Sequence, residues 1–133
     1  MSTGSSPTRL LIVSAAVEAG AGLALLVCPA VIAGVLVGGL PDAPDVLVVA
    51  SIAGVALLAL ALACWLARND GASRAGRAVI AAMLVYNSGA TAVLAFASIG
   101  QGMSGPGLWP AVVLHAGLAT WCVWCLRADS GPN

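Results

Sequence analysis

Charge is scarce in this sequence. Only 8% of its 133 residues are Asp, Glu, Lys or Arg, where a soluble domain carries roughly 25%. So small a share cannot coat a water-facing surface, and most of the surface must face lipid. Lysine is absent: the five basic residues are Arg9, Arg68, Arg74, Arg77 and Arg127, set against five acids for a formal net charge of zero. A neutral chain without a basic stretch excludes a nucleic-acid partner. The single histidine, His115, leaves little with which to hold a haem. Cysteine is present four times, but Cys28, Cys64, Cys122 and Cys125 all fall inside apolar runs, which is not the pattern of a disulfide framework in a small secreted domain.

Apolar runs fill the rest: 61% of the chain is hydrophobic and mean hydropathy is +1.05. Runs this long read as membrane spans, so the expected fold class is all-α, a polytopic membrane protein built as a bundle of four transmembrane helices. They leave no room for a second domain. The first helix is expected over about 7–38, with Ser6 as N-cap and Pro7 in the first turn. At 1.5 Å per residue it would be roughly 48 Å long, against a hydrocarbon core of roughly 30 Å. Pro29 removes the hydrogen bond to the carbonyl of Leu25, so a break between Leu25 and Ala30 is expected. The remaining spans are expected at 46–67, capped by Asp45 and ended near Gly71, at 74–99, capped by Ser73, and at 106–127. Residues 1–6 are expected to be disordered, and the tail ADSGPN is polar and short. Arg9 followed by LLIVSAAV resembles the start of a signal peptide, but the apolar run outlasts a short h-region, and an uncleaved first helix is expected. Leu25-Leu26-Val27-Cys28 lacks the small residue a lipoprotein cleavage site needs before its cysteine.

With four spans all five arginines fall at one end of the bundle, and the other end carries Asp42 and Asp45. The positive side is cytoplasmic, so both termini are expected there, in the inner membrane of a bacterium. Trp65, Trp121, Trp124 and Trp109 fall near the ends of spans, as an aromatic belt would place them. Small residues spaced by four let helices approach closely: Ala16, Gly20 and Ala24; Gly34 and Gly38; Ala50 and Gly54; Ala59 and Ala63. Arg74 and Arg77 are expected to solvate the inner loop and touch lipid headgroups.

Three polar side chains interrupt the spans. Counted from the nearest arginine, Glu18, Asn87 and His115 lie roughly 13, 15 and 18 Å inside the membrane. Ser14 stands one turn before Glu18 on the same face, Tyr86 and Ser88 flank Asn87, and Thr91 and Ser98 continue its stripe. A polar group in hydrocarbon turns inward and finds a partner, so Glu18 is expected within reach of Asn87 or His115, directly or through one water. A neutral pair is favoured over an ion pair, which would have to recover two desolvation costs. Two readings stay open: hydrogen-bonded glue that fixes helix register, or a binding site formed by Glu18, Asn87, His115, Ser14, Tyr86 and Thr91. Cys122 and Cys125 form a CxxC, but at a helix C-terminus, where the dipole opposes a thiolate. With Cys64 they would still need a fourth metal ligand, so no metal or cofactor is assigned. Gly20 and Gly22 are not a phosphate loop, since no strand precedes them.

GLALLVCP with Pro29, the segment ending in Gly38-Gly39, the stretch ASIAGVALLALAL and an arginine-containing inner loop together resemble small bacterial four-span membrane proteins of the DoxX-like kind. The resemblance implies a four-helix membrane bundle and carries no catalytic residues. The expected function is a binding or accessory membrane component without enzymatic activity, whose partners are the bilayer and a homo-oligomer or larger membrane complex. The alternatives are a small proton-coupled transporter or channel that uses Glu18, Asn87 and His115, and a membrane oxidoreductase or quinone-binding subunit.

Overall fold

In hydrocarbon a chain must satisfy its own backbone hydrogen bonds, and the helix does so within one segment. A computed structural model describes residues 5–128. Five helices account for most of them: α1 (Ser5–Val27), α2 (Pro29–Val37), α3 (Pro44–Ala67), α4 (Arg74–Gln101) and α5 (Leu108–Ala128). All but α2 are long and apolar enough to cross a membrane. Residues 1–4 and 129–133, where much of the expected irregular structure falls, lie outside the described residues.

The expected break in the first helix is present and complete. Cys28 leaves the helical region, at φ −136° and ψ 60°, and Pro29 opens α2 as its first residue. The cause is steric: the proline ring disfavours helical geometry in the residue before it and removes one donor. The Cys28 amide still reaches Ala24 O at 2.9 Å, and Ile32 N reaches Cys28 O at 3.1 Å. These two bonds tie Cys28 to both helices across the break. Gly38 then closes α2 at φ +92°, its amide bonded to Gly34 O.

Other ends differ from the sequence expectation. Ser6 lies inside α1 rather than capping it. Asp45 lies in the first turn of α3, because Pro44 takes the first helical position and Ala43 becomes the N-cap. Ser73 caps α4 as expected, its hydroxyl accepting from Gly76 N at 3.0 Å. Gly71 is not a left-handed cap; among the described residues only Gly38 and Gly102 have positive φ. It is buried against Pro7, whose Cβ would lie 2.8 Å from a Cβ added there. Gly102 ends α4 two residues beyond the expected boundary.

The helices pair as two antiparallel couples, α1 with α3 and α4 with α5. The first couple crosses at two glycines. A Cβ on Gly22 would sit 2.8 Å from Gly54 O, and one on Gly54 would sit 2.9 Å from Gly22 O. The expected stripe of Ala16, Gly20 and Ala24 is not the seam, since Ala16 and Gly20 are exposed and a Cβ on Gly20 would meet nothing within 4 Å. The couples join near the arginine end, where Leu10, Leu11, Ala15, Cys64, Ile80, Met83, Leu118, Cys122 and Cys125 make one buried cluster. Arg77 is partly buried and donates to Leu126 O at 3.1 Å, closing carbonyls at the end of α5 rather than only facing headgroups. At the opposite end Gly107 N donates to Val35 O at 2.9 Å, seating the α4–α5 connection on α2.

The crossing gives a direct expectation. Gly22→Leu should force α1 and α3 apart and lower stability by about 1–3 kcal/mol, whereas Gly20→Leu should cost little. Unfolding of the two purified variants in mild detergent separates them, and equal behaviour would remove Gly22 from the seam.

Candidate functional site

Four positions on α1, Ser6, Leu10, Ser14 and Glu18, recur every fourth residue and form one inward stripe. Ser14 and Glu18 are buried, at 0% and 1% exposure. Glu18 therefore points into the bundle, as a carboxyl in hydrocarbon must. A further partner comes from beside Asn87. The side chain within hydrogen-bonding reach of its carboxylate is Tyr86 of α4. Oxygen Oε1 of Glu18 and the hydroxyl of Ser14 have no hydrogen-bond partner. Bare polar atoms at this depth are uncommon, because each forgoes water without compensation.

Asn87 and His115 pair with each other instead. Asn87 Nδ2 donates to Met83 O at 2.8 Å, which turns Oδ1 toward α5. His115 Nδ1 lies 2.8 Å from that oxygen, and an amide oxygen can only accept. The ring hydrogen therefore sits on Nδ1, and in the neutral ring Nε2 is left as an acceptor. Tyr86 links the two pairs. Its ring meets His115 edge to face, with centroids 5.6 Å apart and planes at 85°, a favoured aromatic geometry. Consecutive positions on α4 point about 100° apart, so Asn87 serves α5 while Tyr86 reaches α1.

Glu18, Tyr86, His115 and Asn87 thus form a continuous polar group from three helices, with Glu18 and Asn87 buried and Tyr86 and His115 half-buried. Ser14 adjoins it from α1. Thr91 stands apart in role: its hydroxyl donates to Asn87 O at 2.8 Å, a bond within its own helix.

A second set lies toward the arginine end and was missed in the sequence. Trp121 Nε1 donates to the Ser6 hydroxyl at 3.1 Å, and Ser6 Oγ lies 3.5 Å from Cys125 Sγ. Trp121 thereby faces inward instead of joining an interfacial belt. The spacing of Ser6, Ser14 and Glu18 by multiples of four was the available signal. Cys64, Cys122 and Cys125 are free and buried, and Cys28 is free and exposed. Among the described residues no group of three or more His, Cys, Asp or Glu is placed to hold a metal ion. Trp65 stays exposed at the same end, with the Arg68 guanidinium 4.0 Å above its ring.

Four apolar helices around a buried polar group define a multi-pass membrane protein. No family model, no curated protein and no solved structure matches the chain.

The Asn87–His115 bond yields a measurable coupling. Asn87→Leu should strand the His115 donor and cost about 1–3 kcal/mol. Adding His115→Phe should recover part of that loss, because no donor remains to satisfy. A double-mutant cycle on unfolding in detergent reads the coupling, and strictly additive losses would show that the bond contributes nothing to the fold.

Proposed function

We propose that the protein is a non-enzymatic component of a bacterial inner membrane that binds a small hydrogen-bond-donating ligand at Glu18. One observation carries the reading: Glu18 is 1% exposed and one of its oxygens has no donor. Purely structural polar contacts in membrane bundles act by being satisfied across helices, and Asn87 with His115 meets that description. Oxygen Oε1 of Glu18 and the Ser14 hydroxyl do not. A carboxyl oxygen fixed in a buried interior, with a hydroxyl one turn away, is a receptor for a donor supplied from outside the chain.

Both termini are cytoplasmic in this reading, since all five arginines gather at one end. The kinship to DoxX-like proteins belongs to the same proposal and supplies a setting, not a ligand. The protein acts as a homo-oligomer or within a larger membrane complex. A second reading is favoured by the same bare oxygen: a small transporter or channel in which Glu18 takes up and gives back a proton.

Native mass spectrometry of protein extracted in mild detergent tests the binding reading. Wild type should retain a small-molecule mass that Glu18→Gln loses with its fold intact, since an amide can still bond Tyr86. Identical spectra would overturn it. Proton-driven flux in proteoliposomes, lost in Glu18→Gln, would favour the transport reading. Accessibility reporters at Ser73 should report the cytoplasm and at Gln101 the far side, and either result reversed would overturn the orientation.

A further inference from the structure

The polar side chains inside the bundle are distributed unequally along its axis. From Glu18 toward the arginine end they recur among the buried apolar side chains Leu10, Leu11, Ile80 and Met83: Ser14, then Cys64 and Cys122, then Ser6 with Cys125 and the indole of Trp121. Toward the other end the interior turns apolar. Gly22, one turn beyond Glu18, brings the backbone of α1 onto that of α3 at Gly54 and leaves no gap between them. The buried residues of α5 beyond His115 are Val112 and Leu108. Thr91 is occupied by its own helix.

We propose that Glu18 exchanges its proton with the arginine end of the bundle only, through a water that bridges Ser14 and Glu18. The inference rests on the reading of Glu18 as a working site and adds what it takes up and from which side. The bridge follows from the two unpartnered atoms. Side chains four residues apart on a helix have Cβ atoms about 5–6 Å apart, a span that one water can bridge. A water can accept the Ser14 hydrogen and give one of its own to the carboxyl oxygen. A buried water belongs where a polar site offers it partners of this kind. The proton leaves a water at the Ser6 end, passes by way of the Ser14 hydroxyl and the bridging water, and joins Glu18 Oε1; on release it retraces the path, so charge and atoms balance without another reactant.

The groups facing Glu18 are few. They are Cys64 from α3 and Tyr86 from α4; from α5, His115 meets Tyr86 and Cys122 lies beside Cys64. The arginines stand at the end of the bundle, with Arg77 held on Leu126 O. Tyr86 is within reach of the carboxyl, and Oε1 is the oxygen left open to a donor from Ser14's side of α1.

A hydrophobic carbodiimide tests this on the intact protein. The reagent partitions into lipid and adds to a carboxyl only when that carboxyl is protonated, which leaves a stable acylurea that peptide mass spectrometry locates. In sealed vesicles of either orientation, Glu18 should be the carboxyl labelled in the membrane, and Glu18→Gln should abolish the adduct. Raising the pH on the arginine side should slow labelling, by up to about tenfold per pH unit once the acid titrates. The same change on the opposite side should have no effect. Ser14→Ala should delay the response to an arginine-side pH step without moving its end point. Labelling that follows the opposite side, or both sides alike, would overturn one-sided access while leaving Glu18 a reactive buried acid. Failure to label Glu18 at any pH would overturn the site itself. An unaltered time course in Ser14→Ala would overturn the bridging water.

Discussion

The absence of water from the hydrocarbon is the constraint on which this structure depends. It makes each span a helix, since only a helix satisfies its own backbone within one segment. The same absence acts on side chains. Asn87 and His115 are drawn together because neither has a better partner, and their 2.8 Å contact joins α4 to α5. Tyr86, one position earlier, carries the polar group across to α1. Loss of water therefore sets both the architecture and its exceptions. The exceptions are the two atoms that remain bare, Glu18 Oε1 and Ser14 Oγ.

Association without a hydrophobic driving force needs close contact, and the two couples solve this differently. α1 and α3 meet backbone to backbone at Gly22 and Gly54. The α4–α5 couple uses side chains instead: Gly89 and Gly117 have open space where a Cβ would be. The couples then share one cluster at the arginine end, in which thiols, leucines, Ile80 and Met83 interleave. This arrangement leaves the midplane polar group at the edge of a tightly packed half.

The loops follow from local chemistry with few surprises. Cys28 breaks the first helix because proline follows it, and Gly38 and Gly102 supply the left-handed caps that end α2 and α4. Gly71 shows the limit of such reasoning. A glycine after RND reads as a cap, but tertiary contact with Pro7 is what excludes a side chain there.

The sequence by itself determined the number of spans, the break at Pro29, the single end that collects the arginines, and the depth of Glu18, Asn87 and His115. These depend on hydropathy, proline chemistry and helical rise, all of which are local and read along one dimension. It did not determine which polar residues meet. Equal depth made Glu18 a candidate for Asn87 or His115, but partner choice depends on how each helix is rotated about its own axis. That rotation is set by the glycine crossing and by the core around Met83. Gly20 and Gly22 look alike in the sequence, two residues apart, and only the packing of α3 decides that Gly22 is the seam. The tertiary structure likewise turned Ser6 from a helix cap into a partner of Trp121 and gave Tyr86 to Glu18. Those pairings sum over distant helices, and no window of the chain contains them.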